Sequence, residues 1–301
     1  MITCLDIGGS GIKGAVARSA ADLQMLGRLG TPLNDWEAFV AAVGEVVALS
    51  PAPAGSPVSI AITGVIDPVT GIIKCANIPC IDGRKLASEL SERLGRPVLV
   101  ANDADCFALA EAVVGAGRGH RIVFGAILGT GVGGGLVIEG RMIVGAGGIA
   151  GEWGHGPIAA MRVGDPPVDL PRLPCGCGQV GCLDTVGAAR GIERLHRYFH
   201  GETLDSVAII EAWERGDARA ARTVAYYLEL VAEPLALVVN VVGADIVPVG
   251  GGLSKATRLI ARLDEEVRRR ILRRTDAPLV VPGQLSIEPG LIGAATLGGL
   301  S

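Results

Sequence analysis

The sequence predicts an α/β protein built as two similar lobes, and three observations carry that prediction. A strand, a glycine turn and a second strand occur over residues 2–18 and again over residues 122–138. Helical and strand periodicities alternate after each of these hairpins, the pattern expected of α/β layers. The chain has 301 residues, 49% of them hydrophobic and only 19% charged, which is enough apolar surface for two cores.

Residues 2–7 form an apolar run that meets the turn Gly8-Gly9-Ser10-Gly11, and 12–18 return as its partner strand. Apolar spacing at 36–49 predicts a helix, and β-branched alternation at 57–62 predicts a strand ending at Thr63-Gly64. A helix follows at 85–94, stopped by Gly95 and Pro97, with strand 98–100 running into Ala101-Asn102-Asp103 and a helix expected over 107–114. The second hairpin places strands at 122–128 and 136–138 around the turn Gly129-Thr130-Gly131-Val132-Gly133-Gly134-Gly135. An irregular Pro- and Gly-rich stretch, 145–174, is too long for an ordinary connection and reads as functional. Helical patterns fill 188–242, strand 245–249 meets Gly250-Gly251-Gly252, and a helix at 261–274 and a strand near 279–281 precede an apolar tail. The turns of the two hairpins are expected to face a shared, phosphate-holding cleft.

A net charge of −4 supplies no basic field for a nucleic-acid backbone. The start of the chain shows no signal-peptide pattern, and apolar runs such as 231–242 are broken by Glu233, Pro234 and Asn240, so neither export nor a membrane span is expected. A cytoplasmic location follows, in which the 7 cysteines are free thiols or metal ligands. Cys4, Cys75, Cys80 and Cys106 stand singly among apolar residues and read as small buried hydrophobes.

The other three cysteines, Cys175, Cys177 and Cys182, fall within Cys-Gly-Cys-Gly-Gln-Val-Gly-Cys, where glycines let the backbone curl and three sulfurs converge. Tetrahedral zinc needs one more ligand. His155 is the best placed, since His120, His196 and His200 sit in charged or tyrosine-rich surroundings that read as surface. Spacing alone leaves redox chemistry and chance clustering open.

Asp6, Gly8, Gly9, Ser10, Gly11 and Lys13 combine an acid at a strand end with a tight turn, a hydroxyl and a cation, which suits phosphate or metal but also describes a plain hairpin. Asp103 stands where it can accept a proton from a substrate hydroxyl; Asn102 and Asp103 equally fit a helix N-cap. Glu152 reads as a pocket acceptor or a solvated charge.

Taken together these motifs resemble the ROK sugar kinases (repressors, open reading frames and kinases) across essentially the whole chain. The resemblance rests on Asp6-Ile7-Gly8-Gly9, the turn from Gly129 to Gly135, Gly250-Gly251-Gly252, Glu152-Trp153-Gly154-His155 and the cysteine run. It implies a two-domain actin-like, hexokinase-like fold of the ribonuclease H-like class with a zinc loop. The smaller domain would comprise 1–113 and 289–301, and the larger, 114–288, would carry the zinc loop and dimerisation helices. It also implies ATP and Mg²⁺ held by Asp6, Gly8, Gly9, Ser10, Gly11, Lys13, Gly129, Thr130, Gly131, Gly133, Gly250, Gly251 and Gly252. Structural Zn²⁺ would be bound by His155, Cys175, Cys177 and Cys182.

By the same resemblance Asp103 is the general base, and Gly64, Asn77, Asn102, Glu152, His155 and Asp184 face the sugar. The implied reaction is ATP-dependent phosphorylation of a hexose or N-acetylhexosamine by a homodimer, with N-acetyl-D-glucosamine giving its 6-phosphate. Fructokinase, glucokinase and N-acetylmannosamine kinase are alternatives. A transcriptional regulator or non-catalytic sugar sensor is the rival of another class, and the first phosphate motif already at Asp6 argues against a preceding DNA-binding domain. Three departures stand out: Thr63 where proline commonly precedes the glycine, Asp184 in place of glutamate, and Pro248, which implies a bulge or an edge at its strand.

Overall fold

The computed structural model describes residues 1–285 and 288–300, and the chain divides into two compact units. One comprises Met1–Arg121, Gly135–Gly151 and Gln284–Ser301, the other Ile122–Gly134 and Glu152–Gly283.

In the first unit β1 (Ile2–Gly8) and β2 (Gly11–Ser19) pair antiparallel in register from Ile2↔Ala17 to Gly8↔Gly11. β3 (Asp22–Leu29), absent from the sequence reading, extends the meander. Asp35 caps α1 (Trp36–Ala48) by accepting from the Ala38 amide. β4 (Val58–Ile62) runs parallel to β1, and a short hairpin of β5 (Val65–Ile66) and β6 (Ile73–Lys74) follows. Gly95, at φ +62°, ends α2 (Leu86–Leu94) as a left-handed cap. β7 (Val98–Asn102) lies parallel to β4, completing the order β3-β2-β1-β4-β7. α3 (Asp103–Val114) starts four residues earlier than the apolar pattern suggested, because Asn102 supplies its cap.

The second unit opens on β8 (Ile122–Leu128) and enters β9 (Val132–Ile138), whose later residues pair with β10 (Arg141–Ile143) in the first unit. Gly133 to Gly135 are strand rather than turn. A Cβ at Gly135 would lie 2.9 Å from the Ala104 carbonyl oxygen and from Ala108 Cβ, so glycine lets β9 press against α3. After the small pair β11 (Arg162–Val163) and β12 (Val168–Asp169) come α4 (Asp184–Gly187), α5 (Ala189–His200), α6 (Ser206–Glu214) and α7 (Ala218–Val242). α7 has the length and composition of a membrane span, yet it carries Glu229, Glu233 and Pro234 and buries Tyr227, Val231 and Leu235 inside this unit. β13 (Val247–Gly250), α8 (Thr257–Arg268) and β14 (Val280–Pro282) complete it.

Pro248 occupies neither a bulge nor an edge. β13 pairs in parallel with β14 on one side and with β8 on the other. The amide of Val247 points to Leu279 of the β14 side, so the missing donor of Pro248 faces β8. There the ladder lapses between the bridge Val123↔Ile246 and the pair Val249↔Ala126, with the register unchanged across the gap.

The chain ends on α9 (Pro289–Leu297), which returns to the first unit. The sheet of that unit is covered on both faces. Leu5, Ile7, Ile60 and Ile62 pack with Phe39 and Val43 of α1 and Leu90 of α2, each such buried side chain contributing about 2 kcal/mol. The opposite face carries the small residues Cys4, Ala15 and Ala61 and meets Cys106 of α3 and Leu291, Ala294 and Ala295 of α9. Small residues allow close approach: a Cβ on Gly293 would fall 2.1 Å from the Cys106 carbonyl oxygen. Glu111 of α3, fully buried, accepts from the amides of Ala116, Gln284 and Leu285, which satisfies a carboxylate that would otherwise be costly to bury.

Candidate active-site and metal-centre residues

The hairpin turn of the first unit positions the acid and the cation differently from a free phosphate loop. Lys13 Nζ lies 2.8 and 3.0 Å from the two carboxylate oxygens of Glu288 and 3.9 Å from Asp6 Oδ2. Glu288 therefore takes most of the lysine's pairing, a partner 275 residues away that no local pattern announces. Burial raises the Asp6 carboxyl above its ordinary pKa, opposed by Lys13 and reinforced by Glu288. Gly8 and Gly11 close the turn, and the Gly8 carbonyl is held by the Thr31 hydroxyl at 2.6 Å. Ser10 is exposed, and a Cβ at Gly9 would approach the Asn77 carbonyl oxygen at 3.6 Å, which brings Asn77 beside the same turn.

At the end of β7, Asn102 does two jobs with one amide. Its Oδ1 accepts from the Ala104 and Asp105 amides as the N-cap of α3, and its Nδ2 donates to the Gly64 carbonyl at 2.8 Å. The cap reading thus falls to Asn102, leaving Asp103 as the first helical residue with its side chain exposed. Gly64 has φ +116°, and a Cβ there would sit 2.8 Å from the Lys74 carbonyl oxygen, so no larger residue fits. Thr63, the departure from proline, receives a hydrogen bond from Asn77 Nδ2 at 3.3 Å. Gly64, Asn77, Asn102 and Asp103 are thereby linked by direct bonds or chain adjacency.

In the second unit two glycine turns lie side by side at the ends of parallel strands. A Cβ at Gly129 would be 3.6 Å from Gly251 Cα, and one at Gly251, φ +84°, would be 2.5 Å from the Leu128 carbonyl oxygen. Gly129 therefore neighbours Gly251 and Gly252, and Thr130, next in the turn, is exposed. Bare backbone amides at strand ends can approach phosphate oxygens closely.

His155, Cys175, Cys177 and Cys182 converge so that their ligand atoms all lie within 4.8 Å of one another. His155 Nδ1 is 3.6 Å from Cys175 Sγ, and Cys177 Sγ is 3.6 Å from Cys182 Sγ. Zn–S bonds of about 2.3 Å in a tetrahedron give edges of about 3.8 Å, so the set fits the ion in chemistry and size. The Gln179 amide draws the Cys177 thiol down to about 7, while burial pushes Cys175 up to about 12.

The other ring nitrogen of His155 faces Glu152 at 3.7 Å, the carboxylate–histidine pairing that orients a metal ligand. Burial raises the Glu152 carboxyl, His155 lowers it and Asp184 raises it. Asp184 itself turns to the backbone: Oδ1 accepts from the Val132 amide at 2.7 Å.

Two residues correct the reading of single positions. His196 is buried, its Nδ1 bonded to Thr223 Oγ1 at 2.9 Å, because α7 packs over the face of α5 that local charges made look solvated. Cys80 is half-buried and donates to the Pro32 carbonyl, whereas Cys4, Cys75 and Cys106 are buried as expected.

The chain matches the ROK family over residues 2–298. It belongs to that family. This ROK protein is 38% identical over 294 residues to an N-acetyl-D-glucosamine kinase of Salmonella gallinarum, covering 97% of each chain. It is 36% identical over 296 residues to the N-acetylgalactosamine kinase AgaK of a Shewanella species, covering 98% of this chain and 95% of that one. Among solved structures, the ROK hexokinase of Thermus thermophilus superposes with a TM-score of 0.82 at 30% identity, over 98% of this chain and 97% of that one. A ROK glucokinase of Streptomyces griseus, solved with glucose and AMPPNP, gives 0.76 at 28% identity, over 98% of each chain.

Proposed function

We propose that this ROK protein is an ATP-dependent kinase that transfers the γ-phosphoryl group to the 6-hydroxyl of N-acetyl-D-glucosamine. The observation that carries the reading is the corner at Asn102 and Asp103: an exposed carboxylate fixed at a strand end by a neighbour locked to both α3 and Gly64. The choice of amino sugar rests on the relatives named above.

Asp103 accepts the proton of the attacking hydroxyl, and Asn102, Gly64, Asn77, Glu152 and His155 orient the sugar. The turns at Gly8–Gly11, Gly129–Gly133 and Gly250–Gly252 present amides to the nucleotide, with Ser10, Lys13 and Thr130 as side-chain donors and Asp6 holding the magnesium site. When bound, Mg²⁺ supplies neutralisation of phosphate charge and Zn²⁺ a rigid cross-link of the loop through His155, Cys175, Cys177 and Cys182. The domain that carries the zinc loop, 114–288 on the family pattern, corresponds to the second compact unit apart from residues 114–121, 135–151, 284–285 and 288, which belong to the first. All 7 cysteines are free, which suits a cytoplasmic setting.

A coupled ADP-release assay tests the activity. N-acetylglucosamine gives the highest kcat/KM in a panel with N-acetylgalactosamine, N-acetylmannosamine, glucose, fructose, mannose and allose, and the product carries phosphate on C6 by NMR. Sugar binding by calorimetry with no ADP release from any of them replaces the kinase with a sugar sensor.

The protein is also proposed to be a homodimer through the second unit, whose helix α7 exposes Leu237 at 62% and Val241 at 75%. Light scattering at micromolar concentration then returns twice the chain mass, which Leu237→Glu halves; a monomeric wild type refutes the dimer.

A further inference from the structure

The glycine turn that begins at Gly129 has almost no side chains of its own, so its shape is set by what holds its backbone. The Gly129 carbonyl accepts from the Ala189 amide at 2.9 Å, and the Gly133 carbonyl from Trp153 Nε1 at 2.7 Å. The Val132 amide donates to Asp184 Oδ1 at 2.7 Å, and a Cβ on Gly154 would sit 2.3 Å from the Val132 carbonyl oxygen. Trp153 and Gly154 directly precede the zinc ligand His155, and Asp184 stands two residues after the ligand Cys182. The braces of the turn are therefore the flanks of the metal site.

Asp184 is the member that touches all parts. Its amide donates to the Gly154 carbonyl at 2.9 Å, its Oδ2 lies 3.9 Å from Cys175 Sγ, and a Cβ on Gly131 would be 2.8 Å from its Oδ1. The carboxylate lies directly beneath the turn and commits one oxygen, Oδ1, to its backbone. A glutamate there would carry its carboxylate one methylene further and could not make the same bond from the same backbone position.

We propose that Asp184 is a positioning residue for the nucleotide rather than a sugar contact: it links the zinc loop to the phosphate turn, so that metal occupancy governs nucleotide affinity. The inference rests on the kinase reading above, which assigns this turn to ATP.

Calorimetry on the full chain, with a non-hydrolysable ATP analogue and with N-acetylglucosamine titrated separately, tests it on wild type, Asp184→Ala, Asp184→Asn and Asp184→Glu, with zinc content measured on each. Asp184→Ala raises the nucleotide Kd about tenfold and leaves the sugar Kd within about twofold. Asp184→Asn, whose amide oxygen still accepts from Val132, brings nucleotide affinity back to within about threefold of wild type, and Asp184→Glu does not. Stripping zinc with a chelator weakens nucleotide binding at least as much as Asp184→Ala.

A raised sugar Kd with nucleotide affinity intact overturns the proposal and returns Asp184 to the sugar. If circular dichroism shows Asp184→Ala unfolded, equal nucleotide affinity in the Asn and Glu variants overturns it instead. Wild type that binds no nucleotide overturns the kinase reading and this inference together, whereas nucleotide binding that survives both Asp184→Ala and zinc removal overturns the inference alone.

Discussion

Asp103→Ala lowers kcat for amino-sugar phosphorylation by about 10²–10⁴-fold, with zinc content, sugar Kd and melting temperature close to wild type. The separation follows from where Asp103 sits. It is exposed, so its removal opens no cavity, and the cap of α3 belongs to Asn102, which the change leaves in place. The helix itself loses a favourable first-turn charge, worth about 0.3–1 kcal/mol. A loss of several kcal/mol in the barrier with the melting temperature unchanged is a chemical effect. Steady-state kinetics beside a thermal melt decides it: wild-type turnover in the variant removes Asp103 from the mechanism, and an equal fall in stability makes the residue structural.

Cys182→Ser is the second large effect, and it acts on order rather than chemistry. Cys182 is fully buried, and its sulfur faces Cys177 at 3.6 Å. Zinc affinity falls at least about 100-fold, since loss of a direct ligand exceeds what loss of a supporting contact costs. The stretch between His155 and Cys175 contains only the two-residue strands β11 and β12, so few ladder bonds fix it. Each of its residues costs about 1–2 kcal/mol of backbone entropy to order, a cost that a four-ligand cross-link would offset. Metal analysis and limited proteolysis read the outcome together: the wild type carries one zinc per chain and resists cleavage between 156 and 174, and the variant does neither. A variant that keeps stoichiometric zinc rules out Cys182 as a ligand.

Much of the architecture was legible because the informative signals were local. Two strand–glycine–strand repeats announced the hairpins, and the cysteine spacing brought together four ligand atoms that the fold does gather. What escaped depends on partners far along the chain. His196 looked solvated from its neighbours in sequence, and only Thr223 on another helix explains its burial. α9 lacks an amphipathic pattern because residues around its circumference, Leu291, Gly293, Ala294 and Ala295, are buried alike, so no periodicity marks it. β3 escaped for the opposite reason, its residues being mostly exposed or half-buried at the rim of the sheet. Pro248 misled because a missing donor is usually accommodated at an edge, whereas here an interior strand forgoes one ladder bond and keeps its register.

The seating of α9 has a temporal consequence. Residues 2–8 and 11–19 are synthesised well before the helix that covers the alanine- and cysteine-lined face of their sheet, which is encoded some 270 residues later, at 289–297. During synthesis at about 5–20 residues per second that face stays uncovered for roughly 15–55 seconds. A sheet lined by leucine and isoleucine would be a sticky surface for so long a wait; one lined by Cys4, Ala15, Ala17 and Ala61 exposes far less apolar area. The small residues that let two backbones approach in the finished protein thus also leave the nascent sheet little apolar area to bury elsewhere before α9 is made.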